Sequence, residues 1–268
     1  MSTDAFLSLF GARDAHEPSD PMKAAQGSMR NALPKRFYTT ASVELRQGLW
    51  QVLLDGKAAR TPARQPLAVD NQAIAVAMAA EWQAQQERID PAAMPLTRLA
   101  NAAIDGVRDA PEPVRAEIVR YAGSDLICYR AETPRELTER QRAAWDPLLA
   151  WAGSTLGAEL APANGIIHVT QSPRALARIA EAVAAVAAPV PLAALSAATT
   201  ISGSAVIALA LAHGRLDAES AWLAASVDED YQASVWGADD EALFRQANRR
   251  RDFGAAALAL ASSRATTQ

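Results

Sequence analysis

The side chains best suited to chemistry in this chain of 268 residues are its carboxylates, which gather in three groups. The stretch "VDEDYQASVWGADDEA", Val227–Ala242, carries two of them: Asp228-Glu229-Asp230 and Asp239-Asp240-Glu241, with Trp236 between and no Lys or Arg. Glu81, Asp90 and Asp105 form the third. Paired carboxylates can divide acid and base roles in a hydrolase or lyase if their separation suits the reaction, and spacing along the chain does not measure that separation. An oxygen-rich loop could instead hold calcium, but Ala233, Ser234, Val235 and Trp236 stand where its ligands should be. Acids at the start of a helix lie favourably against its dipole, which accounts for Asp239, Asp240 and Glu241. It leaves Trp236-Gly237, Tyr231 and Gln232 without a reason. An aromatic ring among acids with little base to neutralise them suits a protein-binding epitope.

Other chemistries lack their residues. No Gly-x-Ser-x-Gly elbow is present, and "SGSAV" at Ser202–Val206 has no histidine with an evident partner role. No glycine-rich phosphate loop opens a helix after a strand. His16, His168 and His213 are far apart, with no His or Cys pair at metal spacing. Cys128, the single cysteine, sits in the apolar setting "DLICYR" and reads as a buried structural thiol. These absences lead us to expect no cofactor and no bound metal.

The formal charge of −4 is spread along the chain without a basic stripe, so a nucleic-acid partner is not expected. One cysteine rules out a disulfide framework and fits a reducing compartment, most simply a bacterial cytoplasm. Residues 1–31 lack a basic leader, carry four acids, and read as a poorly ordered arm. No charge occurs between Glu181 and Arg215, and Leu192–Ala212 approaches the length of a membrane span. Its Ala, Ser, Thr and Gly content, and its lack of aromatic or basic anchors, favour a buried helix, or two helices broken near Ser202-Gly203, over insertion.

The elements that must position the acids follow from periodicity. In "LWQVLLDGKAART", Trp50, Val52 and Leu54 alternate onto one strand face before an Asp55-Gly56 hairpin turn, and Gln47-Gly48 marks an earlier turn. "TPARQPLAV" suits an edge strand or loop. From Asp70 onward the pattern is helical. One helix capped by Asp70 or Asn71 is expected to reach about Arg88, with Ile74, Met78 and Trp82 on one stripe. A second is expected in "PLTRLANAAIDGV", closed by Gly106, and a third in "PEPVRAEIVRYAG". A fourth, from Pro134 to about Leu156, should kink or restart at Asp146-Pro147. "GIIHVTQ" reads as a short strand or an extended link. Helices resume at 172–188, 192–212, 217–225 and 239–261. Met94, Leu96, Trp82, Trp145 and Trp151 read as core, and Thr97 and Asn101 as side chains bonded to backbone. The fold class is α+β by segregation, with a small antiparallel sheet followed by a mostly helical remainder. As domains this gives an arm at 1–31, a β-rich core at 32–70 extendable by helices to about 130, and a helical domain at 131–268.

The blocks "KRFY", "WQVLLDGKAARTP", "EWQAQQERIDPAAMPLTRLANAAID", "YAGSDLICYRA", "QRAAWDPLLAW", "GIIHVTQ", "GSAVIALALAHG" and "DEDYQASVWGADDEA" stand in one order from Lys35 to Ala242. In that order they resemble the assembly chaperones that bind the unassembled alpha subunit of the F-type ATP synthase catalytic head. In mitochondria the family is ATP synthase mitochondrial F1 complex assembly factor 2. The resemblance implies a β-rich N-terminal part and a helical C-terminal part, no catalytic chemistry and no cofactor. It also implies a monomeric holdase that covers the beta-contacting surface of free alpha subunit until assembly. It points to Glu241 first as a partner-binding residue, with Asp240, Asp228, Glu229 and Trp236 beside it. A carboxylate-dependent hydrolase or lyase built on the acid groups is the competing expectation.

Overall fold

Two short turns set the sheet. Strands β1 (Ala41–Arg46) and β2 (Leu49–Leu54) are antiparallel, with Arg46 opposite Leu49 and Ala41 opposite Leu54. Gln47 and Gly48 between them have φ of 53° and 81°, and Asp55 and Gly56 after β2 have 48° and 76°. Positive φ at both central residues makes the tight turn whose twist matches that of paired strands. The carboxylate of Asp55 also accepts from the backbone N–H groups of Thr39 and Thr40, which fixes the chain entering β1. Strands β3 (Lys57–Ala58) and β4 (Ala68–Val69) pair with β2 on its other edge. β2 is therefore the central strand, and Val52, Leu53 and Leu54 are all buried, on both faces rather than one. This computed structural model describes residues 33–165 and 167–265. The expected arm at 1–31 lies outside the described residues.

Asn71 caps helix α1 (Gln72–Gln83), its side chain accepting from the N–H of Ile74 at 3.1 Å. α1 stops well before Arg88. Residues Gln85–Asp90 form a separate small unit with residues 33–37. There Ile89 donates its N–H to Pro34 and Arg36 donates its own to Glu87, so backbone pairing replaces further helix. All elements below belong to the larger unit, Tyr38–Ala84 with Pro91 onward.

Helix α2 (Pro95–Ala102) begins at a proline and is capped from α1: the Glu81 carboxylate accepts from the N–H groups of Leu96 and Thr97, each at 2.8 Å. It runs on through a π-helical turn, Ala103–Val107, so Gly106 does not close it. Met94 and Leu96 are buried as expected. Thr97 Oγ1 and Asn101 Oδ1 are buried without a hydrogen-bond partner among the described residues, contrary to the bonds expected for them. Helix α3 (Pro111–Ala122) leads to β5 (Tyr129–Arg130), which pairs in parallel with β6 (Ala163–Asn164). Helix α4 (Arg135–Trp151) runs through Pro147 without restarting and passes into a π-helical turn at Ala152–Leu156. Trp145 is fully buried and donates to the Ala224 carbonyl, whereas Trp82 and Trp151 are only half-buried. Residues 167–171 form neither helix nor strand.

Ser172 caps α5 (Pro173–Ala184). The charge-free interval then forms α6 (Val190–Ser202) and α7 (Ala205–Ala212), separated by Gly203 at φ 71° and a Ser204 cap. The break leaves 13 and 8 residues, short of the roughly 20 that cross a bilayer. Among the described residues no helix is long and apolar enough to do so. α6 packs against α2, α3, α7 and α10 (Asp240–Ala265), which makes its alanines the centre of the helical part. Small side chains let those backbones approach closely, and α7 is buried from Ala205 through Leu211. Two further helices, α8 (Ala218–Ala225) and α9 (Val227–Trp236), lead into α10. The chain is thus α+β, a small antiparallel sheet followed by a helical remainder.

Candidate functional site

The acidic stretch folds into the last elbow of the chain. Val227–Trp236 forms a helix that its sequence had not announced, because its six polar residues mask any apolar stripe. α9 buries no residue, and polar contacts hold it in place. Ser226, buried at its start, donates through Oγ to Asp230 at 2.9 Å. Gln246 of α10 donates to the same carboxylate at 3.1 Å, and Gln141 of α4 donates to Asp228 at 2.7 Å. The Arg140 guanidinium stacks 5.2 Å from the centre of the Tyr231 ring.

α9 ends at Gly237, whose φ of 76° and ψ of 174° suit only glycine. A Cβ there would meet nothing within 4 Å, so backbone conformation rather than crowding sets the requirement. Asp239 then accepts the N–H of Ala242 at 2.6 Å and caps α10. The elbow throws Trp236 outward, 85% exposed. Val235 before it and Leu243 after it are each half exposed, and Phe244 is 65% exposed. Four large apolar side chains thus flank one turn. An open groove of ≈ 530 Å³ runs between α9 and α10, walled by Gln232, Trp236, Ala242 and Arg245.

The five residues singled out from the sequence do not act as a unit. Trp236, Asp240 and Glu241 lie at the elbow, and Glu229 lines the groove. Asp228 points the other way, to Gln141. The expectation that these acids lack bases does not hold in space. Arg249 of α10 pairs with Glu229 of α9, and Arg245 pairs with Glu241 one turn back within α10. Asp240 is exposed and has no such partner among the described residues. Sequence reasoning missed Val235, Leu243 and Phe244. A signal for Phe244 was present. Stepping back from buried Phe253 at 100° per residue puts Phe244 on the opposite side of α10, away from the core.

The arrangement offers little to catalysis. Two members of the third acid group are structural: Glu81 caps α2, while Asp105 accepts from Thr61 Oγ1 at 2.6 Å and from the Ala63 N–H at 3.0 Å. Among the described residues no three His, Cys, Asp or Glu side chains gather so as to hold a metal ion. Burial pushes the Cys128 thiol up to about 12, with the nearby Asp125 adding to it, so this sulfur stays protonated and inert.

The sequence pattern of the ATP12 chaperone protein family matches residues 35–153. Among solved structures, the Atu1473 protein of Agrobacterium tumefaciens is 43% identical, with 92% of each chain covered and a TM-score of 0.82. Atp12 of Paracoccus denitrificans is 40% identical over 85% of this chain and 98% of its own, with a TM-score of 0.77. Mitochondrial protein atp12 of Schizosaccharomyces pombe is 24% identical over 220 residues, 78% of this chain and 75% of that protein. With identity at this level over nearly the whole of a solved Atp12 chain and a shared fold, the protein belongs to the ATP12 chaperone family, a family of non-enzymatic factors for ATP synthase assembly.

Proposed function

We propose that this chain binds the unassembled alpha subunit of the F-type ATP synthase catalytic head and covers its beta-contacting surface until assembly. The elbow between α9 and α10 is the docking face. The observation that carries this is Trp236, 85% exposed on a glycine-fixed turn, in a chain of this family. A large aromatic costs free energy in water, and rigid exposed aromatics recur as binding hot spots. The acids around it have graded roles. Asp240, without a partner, is available to a cation on the other protein. Glu241 and Glu229 would have to share or release their arginines, and Asp228 supports α9 from behind. No nucleotide is needed for release: a beta subunit that binds the same surface more tightly displaces the chaperone by mass action. This role suits a monomer in a bacterial cytoplasm.

The test is titration of isolated alpha subunit against the wild-type chain and Trp236→Ala. Wild type should form a stoichiometric complex that added beta subunit dissolves. The variant should bind at least about tenfold more weakly, in the range of an aromatic hot spot. No wild-type complex, or one that beta subunit leaves intact, overturns the reading.

A further inference from the structure

α9 is a ridge between two grooves, and only one of them belongs to the elbow. The second, ≈ 590 Å³, lies on the adjoining face of α9 against the segment that follows β5 and the start of α4. Gln232 lines both, so the two surfaces are continuous across a single helix. The far wall carries Ile167, 78% exposed, as bare as the elbow aromatics. Next to it the Glu132 side chain lies against Gly165, where an added Cβ would come within 3.1 Å of its carboxylate oxygen. Gly165 has φ 73° and no side chain, and this lets the carboxylate rest on the turn. Glu132 is exposed and makes no hydrogen bond or ion pair among the described residues.

Across the groove Asp228 accepts one bond from Gln141, which is itself buried and held by the N–H of Ala131 at 2.8 Å. The arginine that lines this groove is already engaged. Arg130 is buried, pairs with Asp146 at 2.7 Å and lies 4.9 Å from the centre of the Trp145 ring. The groove therefore presents an uncompensated carboxylate, a second one half-satisfied, and an exposed aliphatic side chain.

The geometry points to one docking surface in two halves, in which this second groove receives a segment of the alpha subunit carrying a Lys or Arg next to an aliphatic residue. The assignment rests on the proposed alpha-subunit reading. Glu132 accepts the cation, Ile167 packs on the aliphatic neighbour, and α9 sits in the middle of the footprint instead of at its edge. The chemistry of the two halves agrees: each joins an exposed apolar anchor to an unpaired acid, Trp236 with Asp240 and Ile167 with Glu132.

The experiment titrates isolated alpha subunit against the full chain and four variants: Glu132→Lys, Glu132→Gln, Ile167→Ser and Leu223→Ser. Leu223, 52% exposed on α8, controls for loss of any exposed apolar side chain. Trp236→Ala reports on the elbow, and thermal unfolding on the fold. Reversal of an interface charge should weaken binding at least about tenfold, with Glu132→Gln and Ile167→Ser weaker by several-fold and Leu223→Ser unchanged. Raising salt should weaken wild-type binding more than that of Glu132→Gln. If Trp236→Ala loses binding while the Glu132 and Ile167 variants bind like wild type, the second half is refuted and the elbow reading stands. If wild type does not bind alpha subunit, both fall. Should Glu132→Lys fail to fold, Glu132→Gln and Ile167→Ser decide alone.

Discussion

At the scale of the residue, two adjacent acids separate a helix-end role from a recognition role. Glu241 lies in the first turn of α10 and pairs with Arg245 one turn on. Such a pair contributes about 0.3–0.5 kcal/mol, and an acid near a helix N-terminus about 0.3–1 kcal/mol. Asp240 has the dipole and no pair. Glu241→Lys should thus cost slightly more stability than Asp240→Lys, and Asp240→Lys more capture of alpha subunit. Thermal unfolding and titration of both variants check this; equal capture by both would show that neither acid meets the partner. Asp125 carries a different prediction. It is fully buried, accepts from Ile127 at 3.3 Å and from Val206 at 3.1 Å, and ties the turn after α3 to the start of α7. Burial raises it to about 6 against bonds from Ser204 and backbone that lower it. A folded pKa above the unfolded one means stability that is full below the unfolded value, near 3.8, and is lost as pH rises through about 6. Relative to Asp125→Asn, wild type should gain on the order of 2 kcal/mol between pH 7.5 and pH 4. Denaturant unfolding at a series of pH values measures it, and a pH-independent difference would refute it.

At the scale of the element, α9 differs from its neighbours. It buries no side chain, while α7 is buried through almost its whole length. Local opening free energy follows buried apolar contact, so α9 amides should exchange with solvent orders of magnitude faster than those of α6 and α7. Hydrogen exchange resolved by segment tests this, and bound alpha subunit should slow α9 selectively. Gly237 holds the elbow by its backbone alone. Gly237→Ala should cost about 1–3 kcal/mol if the conformation persists. α9 is not packed into the core, so the strain is relieved by moving the helix. The expected result is weak capture with a near-normal thermal midpoint.

At the scale of the whole molecule, stability and recognition reside in different places. The core is the alanine-rich packing of α6 and α7 against α3 and α10, with Leu195, Ile207 and Leu209 fully buried. Leu195→Ala should cost about 2–5 kcal/mol. Trp236→Ala should change stability by no more than about 0.5 kcal/mol, as for most surface sites. Denaturant unfolding of the two, set beside their alpha-subunit affinities, should show opposite losses. A chaperone profits from this division because the exposed apolar face can serve the partner without competing with the fold.

Periodicity was enough for the hairpin and for α3 and α8, because each is written in local chemistry: positive-φ turn residues, a first-turn proline, an Asp cap. The charge-free interval allowed one helix or two, and the left-handed Gly203 with the Ser204 cap makes it two. The end of α1 was not legible, since Gln85–Asp90 leave the helix to pair with residues 33–37, a contact between parts of the chain far apart in sequence. Nor was the course of α4, which keeps its helix through Pro147. The same limit applies to the acids. Composition placed Trp236 among carboxylates, and the ordered motifs pointed to the family. Arg245 pairs with Glu241 one turn away in the same helix, which spacing along the chain allows, but Arg249 reaches Glu229 and Gln141 reaches Asp228 only because α10 and α4 fold against α9. Charge compensation acts through space over a few ångströms, so only the tertiary structure could leave Asp240 and Glu132 unpaired among the described residues and turn Trp236 and Ile167 outward.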